Sequence, residues 1–305
     1  MSESSLAKNK IVAFFIFILI FLLLGVNITK NLATSETKLL LSPENDVIFP
    51  SDAPIKRNGD FFYLNGNVKG SIVVKSDNII IDGKSFLLQG EGTGIGIDLS
   101  GRTNVTIQNI QIDAFQIGIH LTASSSCKII GNNISSCIDW AGIYLINSSN
   151  NMIEFNTINN NWDGIQLDPE SSDNNIYKNT IANNRNGISI SFLSENNIIS
   201  ENKLNNNTNY GVGLFWYIAS PSNICIFGNQ IENSKIGITI SLASTNRIEE
   251  NSILNNELGI LLSGSSKNII THNNLTKNGD CILLYNYTSR YGECIYSENN
   301  LFENN

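Results

Sequence analysis

The chain has 305 residues, a net charge of -8 and an isoelectric point near 4.8, a balance that argues against nucleic-acid binding, which needs a basic stripe. Only 15% of residues are charged and 41% are hydrophobic, so a core is affordable and solubility must rest on Asn, Ser and Thr.

Residues 1–30 read as a signal or anchor segment. An apolar run of 16 residues, Ile11 to Val26, follows Lys8 and Lys10. As a helix it spans about 24 Å, short of the ~30 Å of a bilayer core. No Ala-x-Ala site follows it, so an uncleaved anchor with the lysines inside is the favoured reading over a cleaved signal. Either reading places the rest of the chain outside the cytoplasm. Residues 31–59, with Pro43 and Pro50, read as a polar tether, and 60–305 as a repeat domain.

From Asp60 the pattern turns to short strands: Phe61 to Leu64, Ser71 to Val74, Asn78 to Ile81 and, after a turn at Asp82-Gly83, Phe86 to Leu88. A repeat then takes over. Ile-x-x-Asn-x-Ile/Leu begins at Ile129, Ile153, Ile176, Ile199, Ile226, Ile248 and Ile270, and a degenerate copy uses Tyr296, Asn299 and Leu301. The steps are 24, 23, 23, 27, 22, 22 and 26 residues. In phase with it, a Gly-Ile/Val-x-Leu/Ile motif falls at Gly96, Gly118, Gly142, Gly164, Gly187, Gly211, Gly237 and Gly259. Two landmarks at one period mark a repeat architecture. Alternating β-branched residues broken by Asn, Ser and Gly, with no helical spacing, predict a parallel β-helix of about ten coils stacked roughly 4.8 Å apart. The recurrent Asn suits a left-handed corner and an amide ladder between coils. The recurrent Gly marks a corner without room for a side chain.

Departures from the regular coil predict loops: at Cys137 to Trp140, at Phe215-Trp216-Tyr217, and between Leu284 and Tyr296. The stretch from Tyr285 to Tyr291 is the candidate cover for the last coil, which is otherwise an open sheet edge. Cys281 and Cys294 bracket that stretch and are the expected disulfide in an oxidising compartment. Cys127 falls at an interior position, and five cysteines leave at least one unpaired in a monomer. Sequons at Asn104, Asn133, Asn147, Asn206, Asn274 and Asn286 agree with export, although an Asn-rich chain produces such matches by chance.

The segment from Asp60 onward resembles NosD-like, CASH-type right-handed parallel β-helix proteins. The residues that carry this are Gly70-Ser-Ile-Val-Val74, Asp77-Asn-Ile-Ile-Ile-Asp-Gly83, Gly94-Ile-Gly-Ile-Asp-Leu99, Asn104-Val-Thr-Ile107 and the coils above. The resemblance implies an all-β, pectin-lyase-like solenoid of the kind abundant among exported archaeal proteins. The family name also implies periplasmic copper delivery. Two His (His120, His272) and two Met are a poor ligand set for a soft metal, so no metal and no cofactor are expected.

Candidate chemistry lies on the Gly-Ile-x-Leu strand, where x points outward and reads Asp98, His120, Tyr144, Gln166 and then blander residues. Two residues before each Gly runs Trp140, Trp162, Arg185 and then Asn209. Two stacked Trp beside a polar column, walled by Trp216, suit a linear polysaccharide. The alternative is an ordinary surface ladder of Trp and Arg. A polysaccharide-active enzyme would draw on Asp98, His120, Asp139 and Asp163. Asp163 and Asp168 are expected roughly 16 Å apart along the strand, and Asp139 and Asp163 about 8 Å apart across coils. A carbohydrate-binding or scaffold module, an enzyme, and a passive rod all remain open from sequence.

Overall fold

A computed structural model of the chain describes residues 38–41, 48–49, 53–215, 221–288 and 294–305. The apolar run 11–26 and Trp216 lie outside these residues. Among the described residues no helix is long and apolar enough to cross a membrane.

Each regular coil gives one six-residue strand and two three-residue strands, as in Asp163–Asp168, Asn175–Tyr177 and Thr180–Ala182. Equivalent strands stack in parallel into three sheets of 12, 12 and 10 strands. Sheet A collects the Gly-Ile-x-Leu strands. Sheets B and C collect the strands before and after the recurrent Asn. The register follows the Ile columns: Ile143 pairs with Ile119 and Ile165 in sheet A, Ile129 with Ile153 in sheet B, and Ile134 with Ile158 in sheet C. All seven are fully buried. Burying each stabilises by roughly 1.5–3 kcal/mol, and a one-residue slip would turn a whole column outward.

Glycine is required where sheet A begins. A Cβ on Gly164 would lie 2.6 Å from the Gly187 carbonyl oxygen and 2.7 Å from Ile181 Cγ2, and Gly118, Gly142, Gly187 and Gly237 meet the same obstruction. This glycine faces inward, and so does the Ile after it. Strict alternation therefore breaks, and the residue before the glycine is turned to the outer face.

Asparagine amides stitch all three corners. At the B–C corner Nδ2 of each Asn donates to Oδ1 of the next, from Asn132 through Asn156, Asn179, Asn202, Asn229, Asn251 and Asn273. The ladder continues to Asn305. The degenerate last copy is therefore shifted from its expected register: Phe302, not Leu301, pairs with Ile270, and Asn299 takes no ladder position. A second ladder links Asn151, Asn174 and Asn197 and resumes at Asn246, Asn268 and Asn300. A third links Asn161, Asn184 and Asn207 and resumes at Asn256 and Asn278.

The expected tether contributes to the sheets. Lys38–Leu41 adds to sheet A beside Ser71–Val74, and Ile55–Asn58 pairs antiparallel with Phe61–Leu64. The reason is visible in Leu39 and Leu41, whose alternate side chains are buried at the end of the core. At the other end, Tyr287–Thr288 and Cys294–Ile295 form an antiparallel ribbon packed beside Gly264 at a corner. This described part of the expected cover leaves Leu283, Leu284 and Phe302 between 36% and 45% exposed.

Candidate functional site

The outer face of sheet A holds a cluster of buried ionisable groups. Asp163 is turned outward by the inward glycine after it. Its Oδ1 accepts from Asn186 Nδ2 at 2.5 Å and its Oδ2 from Ser189 Oγ at 2.7 Å, and Ser189 also contacts the Tyr210 hydroxyl at 2.9 Å. At the far end of the same strand Asp168 Oδ2 accepts from Tyr144 Oη and Gln166 Nε2, both at 2.8 Å, and its Oδ1 from Ser191 Oγ at 2.6 Å. Gln166 and Ser189 are register neighbours, so both carboxylates lean toward the centre of the strand. The expected wide separation along the backbone is thus shortened by the side chains.

Burial pushes the Asp163 carboxyl up to about 6, against the hydrogen bonds from Ser189 and Asn186 and with the help of the Asp168 charge. Asp168 is raised by burial too. Tyr144 is raised well above its ordinary range by burial and by the Asp168 carboxylate, and Tyr210 is raised by burial and by Asp163.

Three coils toward the N-terminus from Asp163, Asp98 lies beside His120 of the following coil, with Oδ1 3.7 Å from Nδ1. Burial would raise the Asp98 carboxyl, but the His120 ring and the Ser100 hydroxyl and N–H hold it down to about 2. His120 Nε2 pairs with Thr122 Oγ1 at 2.8 Å, and its ring stacks on Tyr144 with centroids 5.7 Å apart. Trp140 tilts onto the other neighbourhood of Tyr144, also at 5.7 Å. Together with Ile117 and Ala141 these form a small apolar cluster outside the main core. Buried Trp140 Nε1 has no hydrogen-bond partner here, and buried His120 Nδ1 faces the Asp98 carboxylate at 3.7 Å, beyond hydrogen-bond distance.

The expected platform is divided. Trp140 is half-buried on Tyr144, whereas Trp162 is 46% exposed, with the Arg185 guanidinium 4.0 Å from its ring centre. The cause is the two-residue insertion. Trp162 N–H bonds the Cys137 carbonyl and Asp163 N–H the Trp140 carbonyl, so Ile138 and Asp139 loop out and Trp140 folds back. Asp139 is exposed and makes no bond to the Asp163 network. The structure thus brings together Tyr144, Asp163 and Gln166 from the expected set, with Asp98 and His120 adjacent. Sequence reading weighed Asp168 only as a distant carboxylate on the strand of Asp163, and passed over Asn186, Ser189, Ser191 and Tyr210. The available signal was a run of polar residues on one outward strand face, one coil after another.

The copper ligand set does not assemble. Cys127 and Cys137 are buried at different corners, and burial pushes the Cys137 thiol up to about 12. Among the described residues no group of three or more His, Cys, Asp or Glu side chains could hold a metal ion. Cys281 and Cys294 are free and exposed. Cys281 is the second residue of the strand Asp280–Tyr285, while Cys294 pairs with Thr288 beyond its far end, so the structure does not bring the expected disulfide together.

The profile of the right-handed β-helix region matches residues 71–217, and that of the periplasmic copper-binding protein NosD matches residues 215–305. The chain is a NosD-like right-handed β-helix protein. Among solved structures it is similar to the A-modules of two mannuronan C-5 epimerases of Azotobacter vinelandii. AlgE6 gives a TM-score of 0.65 at 15% identity, with 80% of this chain and 76% of that one covered. AlgE4 gives 0.67 at 14% identity, with 80% and 78% covered. The periplasmic alginate epimerase AlgG gives 0.57 at 17% identity, with 82% and 73% covered. These likenesses establish the fold. No curated protein matches the chain in sequence.

Proposed function

We propose that this NosD-like β-helix is an exported protein that engages a glycan on the outer face of sheet A. The observation that carries the reading is the gathering on that one face of Tyr144, Asp163, Asp168 and Tyr210, beside the unpaired Trp140 Nε1 and the His120–Asp98 pair. Buried titratable groups and an unsatisfied donor on a rigid strand face are what a preformed polar ligand site requires. Trp162 supplies an exposed aromatic edge and Arg185 a cation beside it. The polysaccharide epimerases among its structural neighbours support a glycan as the partner. Export is supported by the NosD match and by the apolar run 11–26, which we assign as a membrane anchor joined to the β-helix by a short tether.

Affinity electrophoresis against a panel of neutral and anionic polysaccharides tests this directly. Wild-type protein should be retarded by at least one, and Trp162→Ala should abolish the retardation with its circular dichroism unchanged. No retardation across the panel would leave a passive rod.

An enzymatic role has one specific observation behind it. A carboxyl poised near pH 6 beside a tyrosine is matched to proton transfer near neutrality. New reducing ends, or absorbance from unsaturated sugar products, lost on Asp163→Asn, would establish that role over binding alone.

A further inference from the structure

Two hydrogen-bonded arms lead away from Asp163 across the next two coils. On one, Asn186 Nδ2 donates to Asp163 Oδ1 at 2.5 Å, and Asn209 Nδ2 donates to Asn186 Oδ1 at 3.0 Å. On the other, Ser189 Oγ donates to Asp163 Oδ2 at 2.7 Å and lies 2.9 Å from Tyr210 Oη. Asn209 and Tyr210 are consecutive, so both arms end on one piece of backbone. Sheet A sets this geometry. Asp163, Asn186 and Tyr210 are in register on successive strands, and so are Gln166, Ser189 and Gly213. Tyr210 reaches Ser189 by leaning over Gly213, where a Cβ would lie 2.7 Å from Tyr210 Cε2. A side chain at 213 would hold the ring away.

The arms differ in how they answer a proton on the carboxyl. An amide nitrogen only donates, and Asn209 holds the Asn186 amide with that nitrogen toward Asp163. The Oδ1 side therefore has nothing to accept a carboxyl proton. A hydroxyl both donates and accepts. While Asp163 is ionised, Ser189 donates to it and Tyr210 donates to Ser189. Once Asp163 is protonated, the proton lies on Oδ2 and is donated to Ser189. Ser189 then donates to Tyr210, and the Tyr210 O–H has to turn outward. Among the described residues Tyr210 Oη has no hydrogen-bond partner besides Ser189, so that O–H is left for water or a ligand. The protons balance: one enters at Tyr210 Oη, each hydroxyl hands on the one it held, and Asp163 gains one.

We propose that Asp163 is a positioning residue that acts through Ser189 on Tyr210, its protonation deciding whether the Tyr210 hydroxyl points inward or outward. Its surroundings tune the change. Asp168, at the far end of the same strand, favours the protonated carboxyl, and Arg185, ahead of the next strand, favours the ionised one. Tyr144 and Tyr210, on the strands to either side, are themselves raised and keep their protons. Burial, against the two donors, brings the change to about 6. The relay belongs to the free protein. Only its use rests on the glycan reading: an outward Tyr210 O–H donates to a sugar oxygen.

Ultraviolet resonance Raman spectra distinguish a donating from an accepting tyrosine by the intensity ratio of its Fermi doublet. Full-length protein in mild detergent is titrated from pH 4 to 7.5. The spectrum of Tyr210→Phe, which keeps the ring against Phe215, is subtracted. The Tyr210 ratio should rise as pH falls through about 6. Asp163→Asn, whose amide nitrogen donates to Ser189 as the protonated carboxyl does, should hold the low-pH ratio throughout. Ser189→Ala should abolish the dependence on pH, and should it unfold, wild type and Asp163→Asn decide. A constant ratio in wild type, or one that still follows pH in either variant, would overturn the proposal. Retardation by a polysaccharide should be stronger at pH 5 than at 7.5, and Tyr210→Phe should remove the difference. Retardation independent of pH would overturn Tyr210 as the donor to the sugar. None at either pH would overturn the glycan reading and leave the relay to the Raman result.

Discussion

The Tyr144 hydroxyl donates to Asp168 Oδ2 at 2.8 Å, diagonally across adjacent coils. It is one of three donors to a carboxylate that is itself buried. Tyr144→Phe keeps the ring packing against His120 and Trp140 and removes only that donor. Leaving a buried charged acceptor short of a partner costs about 1–3 kcal/mol. Urea denaturation should show a loss in that range, and Tyr144→Phe combined with Asp168→Asn should cost less than the sum of the two. Strict additivity would mean the bond contributes nothing.

Stability should depend on pH through Asp163. Its folded pKa, about 6, lies above the ordinary 3.8, so the folded state holds the proton more tightly. The contribution is fully present below pH 3.8 and is lost as pH rises through about 6. A shift of this size corresponds to up to about 3 kcal/mol at about 1.4 kcal/mol per unit. Melting temperatures measured from pH 4 to 7.5 should fall more steeply for wild type than for Asp163→Asn. Parallel curves would remove Asp163 as the source.

Asn202 donates to the Ile176 carbonyl and to Asn229 Oδ1, and accepts from both the N–H and the Nδ2 of Asn179. Asn202→Ala should therefore cost about 2–4 kcal/mol, several buried groups losing a partner at once. Asn207→Ala should cost a comparable amount, because Asn207 is fully buried in the third ladder and not outward as its sequence position suggests. Asn133→Ala, on the exposed face of sheet C, should be within about 0.5 kcal/mol of wild type. Equal melting shifts for all three variants would count against the ladders.

The fold was legible because Ile-x-x-Asn-x-Ile repeats without interruption at one corner. The other two ladders were harder to see. Ile224 and Ser234 break their columns, and Cys127 and Cys137 stand where they begin. The site was legible only as a column. Asp98, His120, Tyr144 and Gln166 stand out by simple alternation. Asp163 does not, because two consecutive inward residues, Gly164 and Ile165, reverse the phase before it. Nor could backbone spacing show that Asp163 and Asp168 lean toward each other.

Trp140 and Trp162, equivalent by sequence position, should respond differently to truncation. Trp140→Ala removes a ring packed on Tyr144 and should lower stability by about 2–4 kcal/mol. Trp162→Ala removes a half-exposed ring under Arg185 and should cost about 1 kcal/mol or less. Thermal melts of the two single variants check this, and a reversed order would mean that Trp162 is the packed member.

Gly187→Ala should be poorly tolerated, since its Cβ would lie 2.2 Å from the Gly211 carbonyl oxygen. Backbone cannot give as a flexible side chain can, and overpacking of this kind costs about 1–3 kcal/mol or more. A variant with an unchanged denaturation midpoint would show that the coils can part locally.

The spacing of the corners sets where this polypeptide can change length. From Ile129 to Leu275, four residues always separate the Ile before the B–C turn from the Ile or Leu after it. One added residue there would displace an amide shared by neighbouring coils. From Ile129 onward the larger departures from the repeat instead fall at an end of a sheet A strand: Ile138-Asp139 before Ala141–Ile146, the extra residues after Tyr210–Phe215, and those after Asp280–Tyr285. Sheet A is thus the face whose borders can be lengthened without disturbing the stack. Foreign peptides grafted at Ile138-Asp139 should be carried as appendages of a fold that does not register them, whereas the same graft at Gly131 should unseat the coils on either side.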